Sequence, residues 1–267
     1  MDAVSEAYIE LLKRALTNEL FKEFEYQPLK RNNPLRRALH KLADGTGVRL
    51  TSSTLFTDEN RRLGKGVTPM ALTSIGRLRI DNLHYCIRTA IEDDIPGDAI
   101  ETGVWRGGAT IFMRGAFNAY RATDRTVWVA DSFEGLPPPD PNHPADAGST
   151  WHLRSELAVS IEEVQANFER YDLTDGVKYL KGWFKDTLPT APIEKLAVAR
   201  LDGDMYSSTM DALNNLYDKV SPGGFILIDD YSVHMCKTAV DEFRAERKIT
   251  DPLEEVDWTG VYWRKSG

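Results

Sequence analysis

Two short apolar runs each close on a pair of acids, and this pattern constrains the fold more than any other feature of the chain. Leu196-Ala197-Val198-Ala199-Arg200-Leu201 ends at Asp202-Gly203-Asp204, and Phe225-Ile226-Leu227-Ile228 ends at Asp229-Asp230. Each run is partly β-branched, and the second follows the turn signal Ser221-Pro222-Gly223-Gly224, so both read as buried strands of a parallel sheet. Carboxylates at the C-terminal ends of such strands stand where open α/β sheets bind ligands. A single Asp there reads first as a turn residue. Two clusters on strands that a crossover helix places side by side repel one another unless a cation lies between them. Hard oxygen ligands suit magnesium, calcium or manganese.

The chain is long enough, at 267 residues, for one large domain or two small ones. The reading is one α/β domain over 69–267 with an N-terminal helical or lid extension over 1–68. A net charge of −8 without a long basic stretch excludes nucleic acid as the main partner. No apolar run approaches the ~20 residues a membrane helix needs. The start MDAVSEAYIE carries no signal-peptide pattern, and Cys86 and Cys236 stand far apart. Free thiols in a reducing, cytoplasmic setting are expected for both.

Strand and helix signals alternate along the chain. Residues 4–24 show helical spacing at Val4, Tyr8, Leu11, Leu12, Ala15 and Leu20. Residues 25–68 read as irregular, with a solvated basic knot at Lys30, Arg31, Arg36, Arg37 and Lys41. A helix is expected from Pro69 to Ile91, then a strand from Asp98 to Thr102, a glycine-rich turn and a helix to Tyr120. The strand Thr126–Ala130 precedes a long loop, 135–157, with five prolines. Loops of that length inside a compact domain are usually functional. Ser160-Ile161-Glu162-Glu163 fits a capping box that opens a helix to Tyr171. Strand Val177–Leu180, strand Leu196–Leu201, helix Ser208–Val220 with Ser207 or Ser208 as cap, strand Phe225–Ile228, helix Cys236–Arg247 and a last strand at Gly260–Arg264 follow. This order predicts a doubly wound, mostly parallel sheet of Rossmann-like form.

The turn Glu101-Thr102-Gly103-Val104-Trp105-Arg106-Gly107-Gly108 offers close backbone approach and the free N–H groups of a helix start. It is not G-x-G-x-x-G, because Trp105 fills the second glycine position, and this weakens a dinucleotide reading. Glu101 before the turn and Asp131 at the next strand end suit a ligand with a cationic amino-acid part and a ribose. S-adenosylmethionine has both.

The stretches ETGVWRGGAT, VWVADSFEGLP, GWFKDTLPTAPIEKLAVARLDGDMYSSTMDALNNLY, SPGGFILIDDY and VDWTGVYWRK resemble the macrocin O-methyltransferase family, the sugar O-methyltransferases of macrolide and aminocoumarin antibiotic pathways. The likeness runs from about Thr73 to Arg264. It implies a class I methyltransferase fold and the use of S-adenosylmethionine and Mg2+. It further implies metal ligation by Asp202, Asp229 and Asp230, with Asp204 positioning or deprotonating the acceptor. The cofactor residues it implies are Ser74, Glu101, Gly103, Trp105, Arg106, Gly107, Asp131, Ser132 and Ser160, with Trp183 and Phe184 beside them.

The chemistry is consistent with these residue types. A sugar hydroxyl is a poor nucleophile until its proton is loosened, which a divalent ion and a nearby carboxylate can do. Asp202 and Asp204 are both candidates for the base. His84, His143, His152 and His234 read first as surface or packing residues, the alternative for His234, four residues after Asp230, being a base or a contact to the acceptor. The acceptor is expected to be a deoxysugar of a secondary-metabolite glycoside, the alternatives being a catechol-like vicinal diol or a non-catalytic cofactor-binding scaffold. Trp151 and Phe133 are candidate stacking partners for its ring. The N-terminal helix has no evident partner in a minimal sheet domain. It is therefore expected to pack on a neighbouring subunit of a homo-oligomer, a dimer or tetramer.

Overall fold

The computed structural model describes residues 2–21, 25–54, 56–66 and 70–267. An N-terminal portion holds helix α1 (Ala3–Leu16), strand β1 (Glu25–Pro28), helix α2 (Pro34–Ala43), strand β2 (Thr51–Thr54) and helix α3 (Asp58–Leu63). Helix α4 (Gly76–Glu92) leads to β3 (Asp98–Thr102), α5 (Gly108–Ala119), β4 (Val127–Asp131), α6 (Ile161–Arg170) and β5 (Val177–Lys181). The chain continues through α7 (Phe184–Thr187), β6 (Leu196–Leu201), α8 (Tyr206–Leu216), β7 (Val220–Ile228), α9 (His234–Glu246), β8 (Glu254–Glu255) and β9 (Val261–Arg264).

Seven strands form one sheet in the order β5-β4-β3-β6-β7-β9-β8. The first five run parallel, while β9 pairs antiparallel with both β7 and β8. The order reverses between β3 and β6, which is the switch point where such sheets open a crevice. Side chains alternate between two apolar layers, as the two-residue period of a strand requires. Ala99, Val127, Val129, Val198 and Phe225 face α1, α4, α5 and α6. Ile100, Trp128, Ala199, Leu201 and Ile226 face α8 and α9.

Several boundaries differ from the sequence reading. The helix expected from Pro69 begins only at Gly76, and Pro69 itself lies outside the described residues. Before it the backbone is already committed elsewhere: Leu72 N–H donates to Leu16 O, and Leu72 O accepts from Gly108 N–H, both at 3.0 Å. The 25–68 region is not irregular where described. It contains the antiparallel pair β1–β2 and two capped helices. Asn33 accepts from Arg36 N–H with Pro34 behind it, and Thr57 accepts from Asn60 N–H. The Ser221–Gly224 signal is not a turn but part of β7, where a register shift between Leu196 and Val198 absorbs it.

Helix α1 does not wait for another subunit. It lies on α5 of its own chain, with Ile9, Leu12 and Leu16 buried. The close approach needs Gly115, where an added Cβ would meet Leu12 Cδ2 at 2.4 Å. The inward stripe is thus Ile9, Leu12 and Leu16, while Val4 and Leu11 remain exposed. Residues 22–24, the end of the expected first helix, lie outside the described residues. Among the described residues no helix is long and apolar enough to cross a membrane.

Candidate active site

The four central strands end at one level. Gly103 N–H donates to Ala130 O, Asp202 N–H to Thr102 O and Asp229 N–H to Leu201 O, at 2.9–3.0 Å. The ladder therefore runs one residue beyond each strand and sets Asp202 and Asp229 side by side. Gly103 has φ +83°, and an added Cβ would lie 1.8 Å from Asp202 O, so only glycine lets the turn cross the start of the acidic cluster. Above these ends opens a cavity of about 630 Å³, lined by residues that include Gly103, Asp131, Asp202, Asp204, Asp229 and Asp230.

Carboxylate oxygens of Asp202, Asp204 and Asp230 come within 4.8 Å of one another. The trio that the resemblance implies shares Asp202 and Asp230 with this group. Asp229 lines the same cavity but is gripped from behind by two guanidinium groups, Arg79 Nη1 at 2.6 Å on Oδ2 and Arg200 Nη2 on Oδ1. Arg200 also binds Glu101 and, at 3.1 Å, Asp202 Oδ2. Arg79 is tied in turn to Asp257 at 3.0 Å. The sequence reading passed over Arg200, although the signal was present: an arginine in an otherwise apolar strand is almost never buried unless paired. Arg79, on a helix with several charged residues, gave no such signal.

Four carboxylates, Glu101, Asp202, Asp229 and Asp257, thus share two guanidinium groups, and Asp204 and Asp230 add further acids beside them. Burial first, then Asp229, pushes the Asp202 carboxyl up to about 6. Burial, then Asp202 and Asp229, pushes Asp204 up to about 8. Burial and all three neighbouring acids raise Asp230 well above the ordinary range. Burial alone would raise Asp229 as well, but Arg200 and Arg79 outweigh it and hold it low. Among the described residues, Asp230 Oδ2 is buried with no hydrogen-bond partner. An unpaired buried acceptor amid like charges fits a cation, which would remove both penalties.

At the other end, Asp131 accepts from Val104 N–H and Phe133 N–H, both at 2.7 Å, and so ties the β3 turn to the β4 end. Burial raises its carboxyl against these hydrogen bonds. Ser74, Trp105, Ser132, Trp183 and Phe184 line the cavity beside it. Four expected cofactor residues are not among the lining residues. Glu101 is buried against Arg200 beneath the turn, its carboxyl raised to about 8 by burial. Arg106 stacks on the Trp105 ring at 4.2 Å and donates to Ala71 O. Gly107 packs under Val164 of α6, and Ser160 caps that helix by accepting from Glu163 N–H. Phe133 belongs to the core, and Trp151 stands beside Arg154 rather than in the cavity wall. Of the histidines, His143 lines the cavity, His84 bonds Tyr120, and His234 is exposed.

The long loop supplies one whole wall: Gly135 to His143 all line the cavity. The loop also caps α8. Asp146 Oδ1 accepts from Tyr206 N–H at 2.7 Å and Oδ2 from Ser207 N–H at 3.0 Å, a role expected of Ser207 or Ser208.

A doubly wound sheet with an acid-tipped cofactor turn and an antiparallel last hairpin defines a class I methyltransferase. The fold agrees with that of a calicheamicin methyltransferase, CalS11, at a TM-score of 0.54 and 19% identity. The profile described as Macrocin-O-methyltransferase (TylF) matches residues 5–265, and the chain belongs to that family. It is an S-adenosylmethionine-dependent O-methyltransferase. It is 47% identical to the mycinamicin III 3''-O-methyltransferase of Micromonospora griseorubida, covering 98% of this chain and 97% of that protein. It is 45% identical to the 8-demethyl-8-(2,3-dimethoxy-alpha-L-rhamnosyl)-tetracenomycin-C 4'-O-methyltransferase of Streptomyces olivaceus, over 97% and 92%. The solved O-methyltransferase NovP superposes with a TM-score of 0.86 at 43% identity, over 98% of this chain and all of that one.

Proposed function

We propose that the chain methylates a hydroxyl of a sugar carried by a secondary-metabolite glycoside, with the help of Mg2+. The observation that carries this reading is the Asp202–Asp204–Asp230 cluster at the cavity floor, with Asp230 Oδ2 buried and unpaired. The relatives' names support the acceptor class, one of them naming a rhamnosyl group.

Bound S-adenosylmethionine supplies a methyl group on a sulfonium, and a bound divalent ion acidifies and orients the reacting hydroxyl. Asp131 and Ser132 would hold the donor beside the β3 turn, where Ser74, Trp105, Trp183 and Phe184 also line the cavity. Asp202 and Asp230 belong to both the expected ligand set and the observed cluster, and they would hold the cation. Asp229 can join them without releasing its arginines, since each carboxylate oxygen keeps a further lone pair. Asp204, beside them in the same cluster, is left to take the hydroxyl proton. The Gly135–His143 wall excludes water from the reacting atoms.

Labelled S-adenosylmethionine, a panel of rhamnosyl glycosides, their aglycones and a catechol, each with and without EDTA, tests the proposal. Turnover of glycosides alone, lost in EDTA and restored by Mg2+, is expected. Full turnover in EDTA would remove the metal from the mechanism, and catechol turnover would transfer the site to aromatic diols. Asp204→Asn should abolish turnover while retaining Mn2+ binding by calorimetry, whereas Asp202→Asn and Asp230→Asn should lose both.

A further inference from the structure

The loop between Asp131 and α6 is held at defined points. At its start, Ser132 Oγ donates to Gly135 O at 2.7 Å. Toward its end, Trp105 Nε1 donates to Glu156 O at 3.0 Å. Between them stands Asp146, in the 3-10 turn Pro144–Asp146 and fully buried. Both its oxygens are used on the first two N–H groups of α8. Those N–H groups have no partner within the helix, and Met205, the N-cap, gives none from its side chain. Two residues before α8 stands Asp204, in a left-handed conformation at φ +56°. One carboxylate thus joins the loop that walls the cavity to the turn that carries the acid expected to act as base. His143, just before the 3-10 turn, packs against the Tyr206 ring with centroids 5.3 Å apart and the planes tilted by 40°, and Tyr206 donates its hydroxyl to Glu242 at 2.6 Å.

We infer that Asp146 is a positioning residue: it pins residues 136–143 as a fixed arch over the acceptor half of the cavity and sets that arch in register with Asp204. The arch is a preformed wall rather than a free lid. Any opening is confined to the segment between the Ser132–Gly135 and Asp146 anchors. The cofactor half, built on Asp131 and the β3 turn, does not touch the pin. The inference rests on the proposed glycoside activity only for its kinetic arm.

Asp146→Ala and Asp146→Asn test it on the full-length protein. Asparagine keeps the shape but only one acceptor oxygen, so it should rescue part of the loss. Amide hydrogen exchange over 136–143 should quicken by about two- to thirtyfold in Asp146→Ala, the range expected for losing a capping interaction, and by less in Asp146→Asn. S-adenosylhomocysteine affinity by calorimetry should stay within about twofold. With whichever rhamnosyl glycoside turns over, KM for the acceptor should rise several-fold while KM for S-adenosylmethionine holds. Unchanged exchange in Asp146→Ala, or an equal loss of S-adenosylhomocysteine affinity, would overturn the pin. If no glycoside turns over, the acceptor proposal fails, and the exchange and calorimetry arms still decide the role of Asp146.

Discussion

Arg200 controls the acidic centre of the protein. Its side chain is 3% exposed and its guanidinium serves Glu101, Asp202 and Asp229 together. Arg200→Met should cost about 3–5 kcal/mol of stability in urea denaturation, because it leaves buried carboxylates uncompensated. Arg200→Lys keeps the charge but not the planar fork, so it should recover only part of that loss. A methionine variant as stable as the parent would show that the network is dispensable. The same crowding sets a pH dependence. The cation-free folded protein holds protons on Asp202 up to about 6 and on Glu101 and Asp204 up to about 8, whereas unfolded carboxylates release theirs at about 4. The folded state therefore binds more protons, and the stability this contributes is complete below about pH 4. It is lost as pH rises through 6 and 8. Urea midpoints of the EDTA-treated protein should fall from pH 6 to pH 8.5, and a flat or rising profile would contradict the shared acidic site.

Elements bring these residues together by packing that single residues do not reveal. Leu12 of α1 lies over Gly115 of α5 in the same chain. Leu12→Ala should cost about 2–5 kcal/mol in thermal or urea unfolding, as for a buried leucine. An effect that appears only at concentrations where copies associate would return α1 to an interface between subunits. The β3 turn and the β4 end are likewise one unit through Asp131, whose two oxygens hold Val104 N–H and Phe133 N–H. Asp131→Ala should weaken S-adenosylhomocysteine binding by roughly 1.5–3 kcal/mol per lost charge-assisted hydrogen bond. Calorimetry would show it, and unchanged affinity would remove Asp131 from the cofactor site.

At the scale of the whole molecule, the five parallel strands and the antiparallel β9 fix the crevice at the β3–β6 switch point. A cation bound only by the folded state should add about 2.7 kcal/mol at a hundredfold excess over its Kd. At pH 8.5, Mg2+ should therefore raise the thermal midpoint of the parent and leave Asp230→Asn unmoved. A midpoint indifferent to Mg2+ in the parent would count against the cation.

The amino-acid sequence by itself determined the alternation of strands and helices, the acids at the strand ends and the glycine turn. Each is a local matter of two-residue or helical periodicity, chain punctuation and residue chemistry. The Ser160 cap was legible for the same reason, since its partner is three residues away. Tertiary structure alone decided which acids face one another. Asp229 sits beside Asp230 in the chain, yet its oxygens are taken by Arg79, 150 residues away on α4, and by Arg200 on the neighbouring strand. It also decided that α1 is buried in its own chain and that α8 is capped by a loop 60 residues upstream. These pairings are set by sheet order and helix packing, and neighbours along the chain carry no record of them.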